Sequence, residues 1–190
     1  MNKRNILSVL SLSALLAACG GTAETSVVAG ASDASVPAAA ASAAGQQLVS
    51  SDGAVVWQVA EGFSELPAEA DKLLEGMPKD ALTLRHHHSG SDITVYVAKA
   101  GAPKQPADAY FAKLAETVKT APGLDDVAVD APAADHLAYR FTRNENGGSL
   151  SESCKVLYGS VAIYTACAVS PSADLAELDA VVAGTALKAQ

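Results

Sequence analysis

Three cysteines and a run of three histidines are the residues of this sequence best suited to covalent, metal or proton chemistry. The cysteines are Cys19, Cys154 and Cys167, and the histidines occupy positions 86–88. These residue types can support lipidation, disulfide formation, metal ligation or acid–base catalysis. The sequence around each of them decides which chemistry to expect.

Cys19 closes the first apolar segment of the chain. Lys3 and Arg4 precede residues 6–16, in which only serines interrupt the apolar residues. A membrane-spanning helix needs about 20 apolar residues, so this stretch is too short to span. It matches instead the basic n-region and apolar h-region of a secretory signal. Residues 1–18 are therefore predicted to be a signal peptide.

The end of this segment, Leu16-Ala17-Ala18-Cys19, resembles the bacterial lipobox, Leu-(Ala/Ser/Thr/Val)-(Gly/Ala)-Cys, at every position. The resemblance implies cleavage before Cys19, a diacylglycerol thioether on its sulfur, and acylation of its new amino group, as by palmitate. Two or three acyl chains anchor a protein stably where one is marginal. The alternative is a cysteine left inside an uncleaved apolar helix.

Residue 20 and the net charge bear on location. Enteric bacteria retain lipoproteins with Asp after the lipidated cysteine in the inner membrane. Gly20 therefore favours the outer membrane, facing the periplasm or the cell surface, with the inner membrane as the alternative.

Cleavage removes Lys3 and Arg4 but no acid, which takes the formal net charge from −8 to −10. Such an acidic chain is not expected to bind nucleic acid through a basic patch, so the lipid is the expected membrane attachment.

Residues 19–46 are predicted to be the lipidated cysteine followed by a disordered tether, and residues 47–190 a globular domain. From position 20 to about 44 the chain is dominated by Ala, Ser, Gly, Thr and Val and has no aromatic residue. It therefore has too little large apolar surface to offset the entropy of ordering.

Hydrophobic periodicity predicts an α+β domain with an antiparallel sheet flanked by helices. In the first strand Val55, Trp57 and Val59 share one face. Helices are predicted from Pro106 to the Pro122-Gly123 stop, and again from Ser170-Pro171-Ser172 through Leu187. Residues 81–87 and 92–98 are predicted to form a hairpin that turns at Ser89-Gly90-Ser91. The other predicted strands are residues 127–130 and 137–143, and two strands within 154–169 that turn at Gly159-Ser160. A short helix or loop at 68–75 has no assigned position.

The lipobox, the tether, the opening Ser-Asp-Gly-Ala-Val-Val-Trp-Gln-Val-Ala-Glu-Gly-Phe at 51–63 and this element order resemble the DcrB-type envelope lipoproteins. These belong to the PsbP/Mog1-like α/β/α sandwich superfamily. The likeness covers residues 47–190 and implies a non-enzymatic binding or accessory module. Because the family shares no functional motif, the resemblance implies no site residue.

Cys154 and Cys167 are predicted to form a disulfide, since export places them in an oxidising compartment. If the hairpin turns within residues 159–162, the two cysteines lie opposite or diagonal on one face of the sheet. The alternative is two buried, reduced thiols. Thiol redox catalysis is not expected, because the sequence has no Cys-x-x-Cys.

The histidine run offers a metal-binding alternative. On a strand, His86 and His88 share a face, and Asp92 across the turn is a possible third ligand for zinc or copper. The competing interpretation is a polar strand end beside a turn. We accordingly assign no cofactor, and no metal beyond His86 and His88 as candidate ligands.

No catalytic template is complete. His136 follows Asp135, but the sequence has no Gly-x-Ser-x-Gly elbow, phosphate-binding Gly loop or His-Glu-x-x-His helix. The sequence therefore predicts a non-catalytic, membrane-tethered envelope lipoprotein that acts on a protein partner. A lipoprotein that binds metal or a small ligand at the histidine run is the alternative.

Overall fold

Most of the regular secondary structure in the domain is β-strand, and side chains along the strands alternate between buried and exposed positions. The computed structural model describes residues 45–66, 77–78, 80–145 and 147–189. The predicted signal peptide, Cys19 and the predicted segment 68–75 lie outside these residues. The elements are β1 Gln46–Val49, β2 Val55–Val59, β3 Phe63–Glu65, β4 Leu82–His88, β5 Ile93–Gly101, α1 Ala107–Thr120, β6 Leu124–Val129, β7 His136–Glu145, β8 Gly148–Tyr158, β9 Ile163–Ser170, α2 Leu175–Ala183 and β10 Thr185–Leu187.

The strands of the described residues form two antiparallel sheets. The larger sheet has seven strands in the order β3-β4-β5-β9-β8-β7-β6, and the smaller has three in the order β1-β2-β10. The predicted hairpins β4–β5 and β8–β9 are both present. Strand β7 joins the large sheet through β8 and carries the short strand β6 on its outer edge.

The predicted helix-flanked α+β sandwich of the PsbP/Mog1-like α/β/α type is wrong for this chain. The described residues are mostly β-structure with two short helices. Strand β2, expected in the main sheet, pairs instead with β1 and β10 to form a second sheet. This small sheet, together with α2, lies where a layer of helices was expected.

The C-terminal helix is also shorter than predicted. Helix α2 begins after Asp174, whose carboxylate accepts a hydrogen bond from Glu177 N–H at 2.8 Å. Ser170, the predicted cap, accepts instead from the N–H of Ala173 at 3.0 Å and shapes the turn before the helix. The helix ends at Ala183, and Leu187, expected on its buried face, belongs to β10.

The main core lies between the small sheet, α2 and one face of the large sheet. Trp57 is fully buried there, and its Nε1 donates a hydrogen bond to Val181 O at 2.8 Å. It belongs to the same buried cluster as residues of β5, β9 and α2, which include Val95, Ala166, Leu178 and Val182. Trp57 thus connects the two sheets and the helix.

Helix α1 covers the opposite face of the large sheet, at the β6–β7–β8 end. Its Phe111 is 1 % exposed and packs with Leu137, Val156 and Ile163. Neighbouring residues of a strand point to opposite faces, so Val156 faces α1 while Leu157 joins the main core. Within the described residues, no helix is long and apolar enough to cross a membrane.

Replacing Gly184 by Ala is expected to destabilise the domain. Gly184 has an ordinary φ of −71°, but an added Cβ would lie 2.2 Å from Gln58 O. Gly184 O also accepts the hydrogen bond from Gln58 N–H that starts the β10–β2 pairing. Overpacking of this kind costs about 1–3 kcal/mol. Urea unfolding followed by the fluorescence of Trp57, the single tryptophan, measures the loss. The exposed neighbour Ala183→Ser is the control, and an unchanged midpoint in Gly184→Ala would contradict the prediction.

Candidate functional site

An open cleft of about 550 Å³ lies at one end of the domain; we call it the tip cleft. The β1–β2 turn, the β8–β9 turn and the end of β10 form its walls. Its lining includes Asp52, Tyr158, Gly159, Val161, Tyr164, Leu187 and Lys188. Two turns and the end of a strand meet here. Binding residues are often carried on loops that a rigid scaffold positions.

The β8–β9 turn presents an apolar side chain to solvent at the tip cleft. Gly159 N–H donates to Ala162 O at 3.1 Å, which closes the turn. A Cβ at Gly159 would lie 2.8 Å from the same oxygen, so the tight turn requires glycine there. Val161 is 68 % exposed, while Leu187 on the facing wall is half-buried. The cleft therefore has one freely accessible apolar contact and one partly covered one.

Asp52 is the fixed anion of the tip cleft. Its carboxylate accepts hydrogen bonds from Tyr164 Oη at 2.8 Å, Ser50 Oγ at 2.8 Å and Ala54 N–H at 3.3 Å. Lys99 Nζ adds an ion pair at 3.2 Å. Burial by itself raises the pKa of Asp52, but the hydrogen bonds, that of Tyr164 first, outweigh burial and lower the pKa to about 2. Asp52 therefore holds the turn to the sheet as a permanent anion at neutral pH.

The predicted disulfide is present in the large sheet. Cys154 of β8 is bonded to Cys167 of β9, and the two residues are direct cross-strand partners whose Cα atoms lie 4.1 Å apart. Both cysteines are 1 % exposed. The hairpin register inferred from the turn at residues 159–162 places them on the same face.

A buried carboxylate lies beside this disulfide. Glu152, 6 % exposed, accepts a hydrogen bond from Tyr96 Oη at 2.7 Å, and its Oε1 lies 3.5 Å from Cys154 Sγ. Arg143 Nη2 approaches the other carboxylate oxygen at 3.8 Å. Burial first, and then the charge of Glu152, raise the pKa of Tyr96 well above 10. Tyr96 therefore remains a neutral donor at physiological pH.

Glu152 is not among the site residues predicted from the sequence, although the sequence holds a signal for it. Glu152 is two residues from Cys154, on the same face of a strand that also points Leu150 and Val156 inward. A charged residue at an inward position of an apolar alternation marks a buried polar site.

The histidines do not assemble as the metal hypothesis requires. His88 Nδ1 accepts from Ser91 N–H at 3.1 Å, and its ring packs on Phe63 with centroids 5.2 Å apart. A Cβ at Gly62 would lie 2.7 Å from His88 Nε2, so that nitrogen is closely covered as well. Asp92, the proposed third ligand, lies 3.8 Å from Nε2 of His87, on the other face of the strand.

His86 is set apart from this arrangement. Its Nδ1 is buried and has no hydrogen-bond partner among the described residues. Burial lowers the pKa of His86, and the nearby charge of Glu65 only partly opposes that effect. In the described part of the chain, the three-residue ligand set that comes together is Glu152, Cys154 and Cys167, and it does not include His86 or His88.

The remaining acid–base pair is a surface contact. His136 Nδ1 lies 2.8 Å from Asp135 Oδ1, and the Asp135 side chain is 72 % exposed. The hydrogen bond to His136 lowers the pKa of Asp135. Tyr158 N–H donates to Asp135 O at 2.7 Å, which places this acidic residue next to a wall of the tip cleft.

Comparison with known proteins assigns no family to the chain. No family model and no curated protein matches it. Among solved structures it is similar to LpqN, described as involved in cell envelope biogenesis of Mycobacterium tuberculosis. The two share 11 % identity with a TM-score of 0.47, over 76 % of this chain and 90 % of LpqN. A similarity at this level decides neither family nor activity.

Replacing Asp52 by Asn is expected to lower stability at neutral pH and to have little effect in strong acid. A carboxyl whose pKa is lowered on folding contributes stability that is complete above its unfolded pKa of 3.8 and is lost as pH falls through about 2. The site is open to water, so we expect about 1–2 kcal/mol at pH 7, less than the full linkage value. Urea unfolding at pH 7, 4 and 2 measures it, with the exposed Asp80→Asn as the control. A loss that is the same at pH 7 and pH 2 would contradict the assigned role of the carboxylate.

Proposed function

We propose that this protein is a bacterial envelope lipoprotein, anchored through Cys19, whose folded domain is a non-catalytic module that binds a protein partner. The observation that carries the proposal is the sequence Leu16-Ala17-Ala18-Cys19 after a basic and an apolar segment. These are the features that direct a chain to export and lipidation. The lipid would hold the domain at the membrane.

The cysteines of the domain agree with export. Disulfides persist in oxidising compartments and are rare where thiols are kept reduced. The bond between the buried Cys154 and Cys167 joins two adjacent strands of the large sheet. Together with Gly20 after the lipidated residue, this supports the outer membrane as the location, facing the periplasm or the cell surface.

The tip cleft is the surface we assign to the partner. Strand β1 starts at Gln46, where the tether ends, and runs toward the turn that carries Asp52. Chain entry and the tip cleft are thus at opposite ends of β1. The predicted tether of about 25 residues would span on the order of 25–30 Å, enough to hold the domain away from the bilayer surface.

The tip cleft favours a partner segment with an apolar side chain, and the net charge of the chain favours a basic partner. Val161 offers the exposed apolar contact, while the charge of Asp52 is already paired with Lys99. The mature chain carries a formal net charge of −10, since it loses two of the positive charges in the −8 total. Such a field speeds the association of a basic partner. The histidine alternative receives no such support, because His88 is held by Ser91 and Phe63.

Replacing Cys19 by Ser is expected to abolish lipidation and signal-peptide cleavage while the domain still folds. The variant should accumulate in the membrane as the full-length precursor and fail to incorporate labelled palmitate. Intact mass and metabolic labelling measure both effects. Cys154→Ser, which leaves the lipobox intact, is the control and should still incorporate the label. A processed, palmitate-labelled Cys19→Ser chain would contradict the anchor.

A photo-crosslinking residue at position 161 is expected to capture an envelope protein in intact cells. The matched control places the same residue at the exposed Ala112 on α1, away from the tip cleft. The expected result is a discrete cross-linked product at position 161 that depends on Cys19 and is absent at position 112. Cross-linking that is equal at both positions, or absent from both, would count against the tip cleft as the binding surface.

A further inference from the structure

The buried cluster around the disulfide contains more than a structural bond requires. A carboxylate oxygen of Glu152 and the sulfurs of Cys154 and Cys167 all lie within 4.8 Å of one another, and all three residues are buried. A charged carboxylate is expensive to bury, and a disulfide needs none beside it. The cluster combines two sulfur atoms and one oxygen atom around one point.

With the disulfide reduced, these residues form a donor set suited to zinc. Thiolate sulfur and carboxylate oxygen bind Zn²⁺ at about 2.3 and 2.0–2.2 Å in tetrahedral geometry. The Cα atoms of the cysteines, 4.1 Å apart on adjacent strands, keep both sulfurs close after the bond between them opens. Soft thiolates select zinc or copper over magnesium and calcium. The fourth position would be left to water or an added ligand.

The charges of the cluster favour a divalent ion. Two thiolates and the Glu152 carboxylate carry three negative charges, and Arg143, with Nη2 3.8 Å from the carboxylate, carries one positive charge. One Zn²⁺ makes this group neutral. With the disulfide formed, Glu152 and Arg143 already balance each other without a metal. The same buried surroundings therefore suit both the oxidised, metal-free state and the reduced, zinc-bound state.

A neighbouring side chain orients the carboxylate. Tyr96 Oη donates to Glu152 Oε1 at 2.7 Å from the adjoining part of the sheet, and Tyr96 is 4 % exposed. Hydrogen bonds of this kind hold ligating carboxylates in place in metal sites. Tyr96 would thus act as a positioning residue for the carboxylate ligand.

We propose that the reduced chain binds one Zn²⁺ through Glu152, Cys154 and Cys167, and that zinc binding and disulfide formation exclude each other. On oxidation by a disulfide-bearing protein or small disulfide, the two thiolates give up two electrons and form their S–S bond. The S–S bond of the oxidant breaks, its two sulfurs leave as thiolates, and Zn²⁺ is released. This inference is independent of the lipid anchor and of the partner.

Zinc titration of the reduced protein tests the proposal. The full chain carrying Cys19→Ser, so that no third thiol contributes, is reduced in detergent without oxygen and titrated with Zn²⁺ against a chromophoric chelator. We expect one Zn²⁺ per reduced chain with a Kd below about 1 μM, and none on the oxidised chain. Co²⁺ in place of Zn²⁺ should give a thiolate-to-metal charge-transfer band, which reports sulfur ligation directly.

Variants separate this site from other ways of binding zinc. Glu152→Gln removes a ligand and should weaken zinc binding by more than about 100-fold, whereas Tyr96→Phe should weaken it by about 10–100-fold, the typical cost of losing a supporting hydrogen bond. His86→Asn with His88→Asn is the matched control and should bind as tightly as the parent chain. Unchanged affinity in Glu152→Gln, or loss of affinity in the histidine variant, would overturn the site.

The fluorescence of Trp57 shows whether the reduced chain is folded. If reduction unfolds the domain, Zn²⁺ should restore the emission of the buried tryptophan, because the ligands converge only in the folded sheet. A Trp57 emission spectrum that remains that of the unfolded chain at saturating Zn²⁺ would also overturn the proposal. So would a reduced, folded chain that takes up no zinc.

Discussion

The pairing of β8 with β9 is the interaction on which the rest of the domain depends. Strand β8 lies near the middle of the large sheet, between β9 and β7, and its side chains alternate between the two faces. On one face Ser153 Oγ hydrogen-bonds Asp179 of α2 at 2.6 Å and Lys155 Nζ donates to Thr185 O of β10 at 2.9 Å. On the other face Val156 packs beneath α1. One strand therefore positions both helices and the small sheet, and the disulfide holds it to its neighbour.

Polar groups in this domain are placed where a backbone element needs an anchor. Asp52 holds the tip turn to Tyr164 and Lys99. Asp179 forms an ion pair with Arg140, whose Nη1 lies 3.2 Å from the carboxylate, and accepts a hydrogen bond from Ser153 of β8. Glu152 differs from both, because it is buried beside two sulfurs on the face opposite α2. The described residues thus include two places with chemistry of different kinds: an open, partly apolar tip cleft and a closed carboxylate–sulfur cluster. The first suits contact with a macromolecule, and the second suits a small ion.

Much of the fold followed from local patterns. The turn residues Ser89-Gly90-Ser91 and Gly159-Ser160 delimit two hairpins, and because the side-chain period of a strand is two, the second hairpin brings Cys154 opposite Cys167. Strands β1, β3 and β10 went unrecognised because three or four residues are too few to display an alternation. The C-terminal helix was extended too far for a related reason: Leu187 continues the helical spacing, but Gly184 packs against Gln58 O and the chain turns there into β10.

By itself the sequence determined the buried face of each long strand and the cysteine pairing, because each depends on residues close together in the chain or joined by one tight turn. The signal peptide and the lipobox at Cys19 stay predictions. Only the tertiary structure decided which sheet β2 joins, that His88 is held by Ser91 and Phe63 instead of facing His86 as a ligand, and that Tyr96, Glu152 and Arg143 meet at the disulfide. Those outcomes depend on pairings between strands far apart in sequence. Hydrophobic alternation fixes which face of a strand is buried, but it does not specify which distant strand lies beside it.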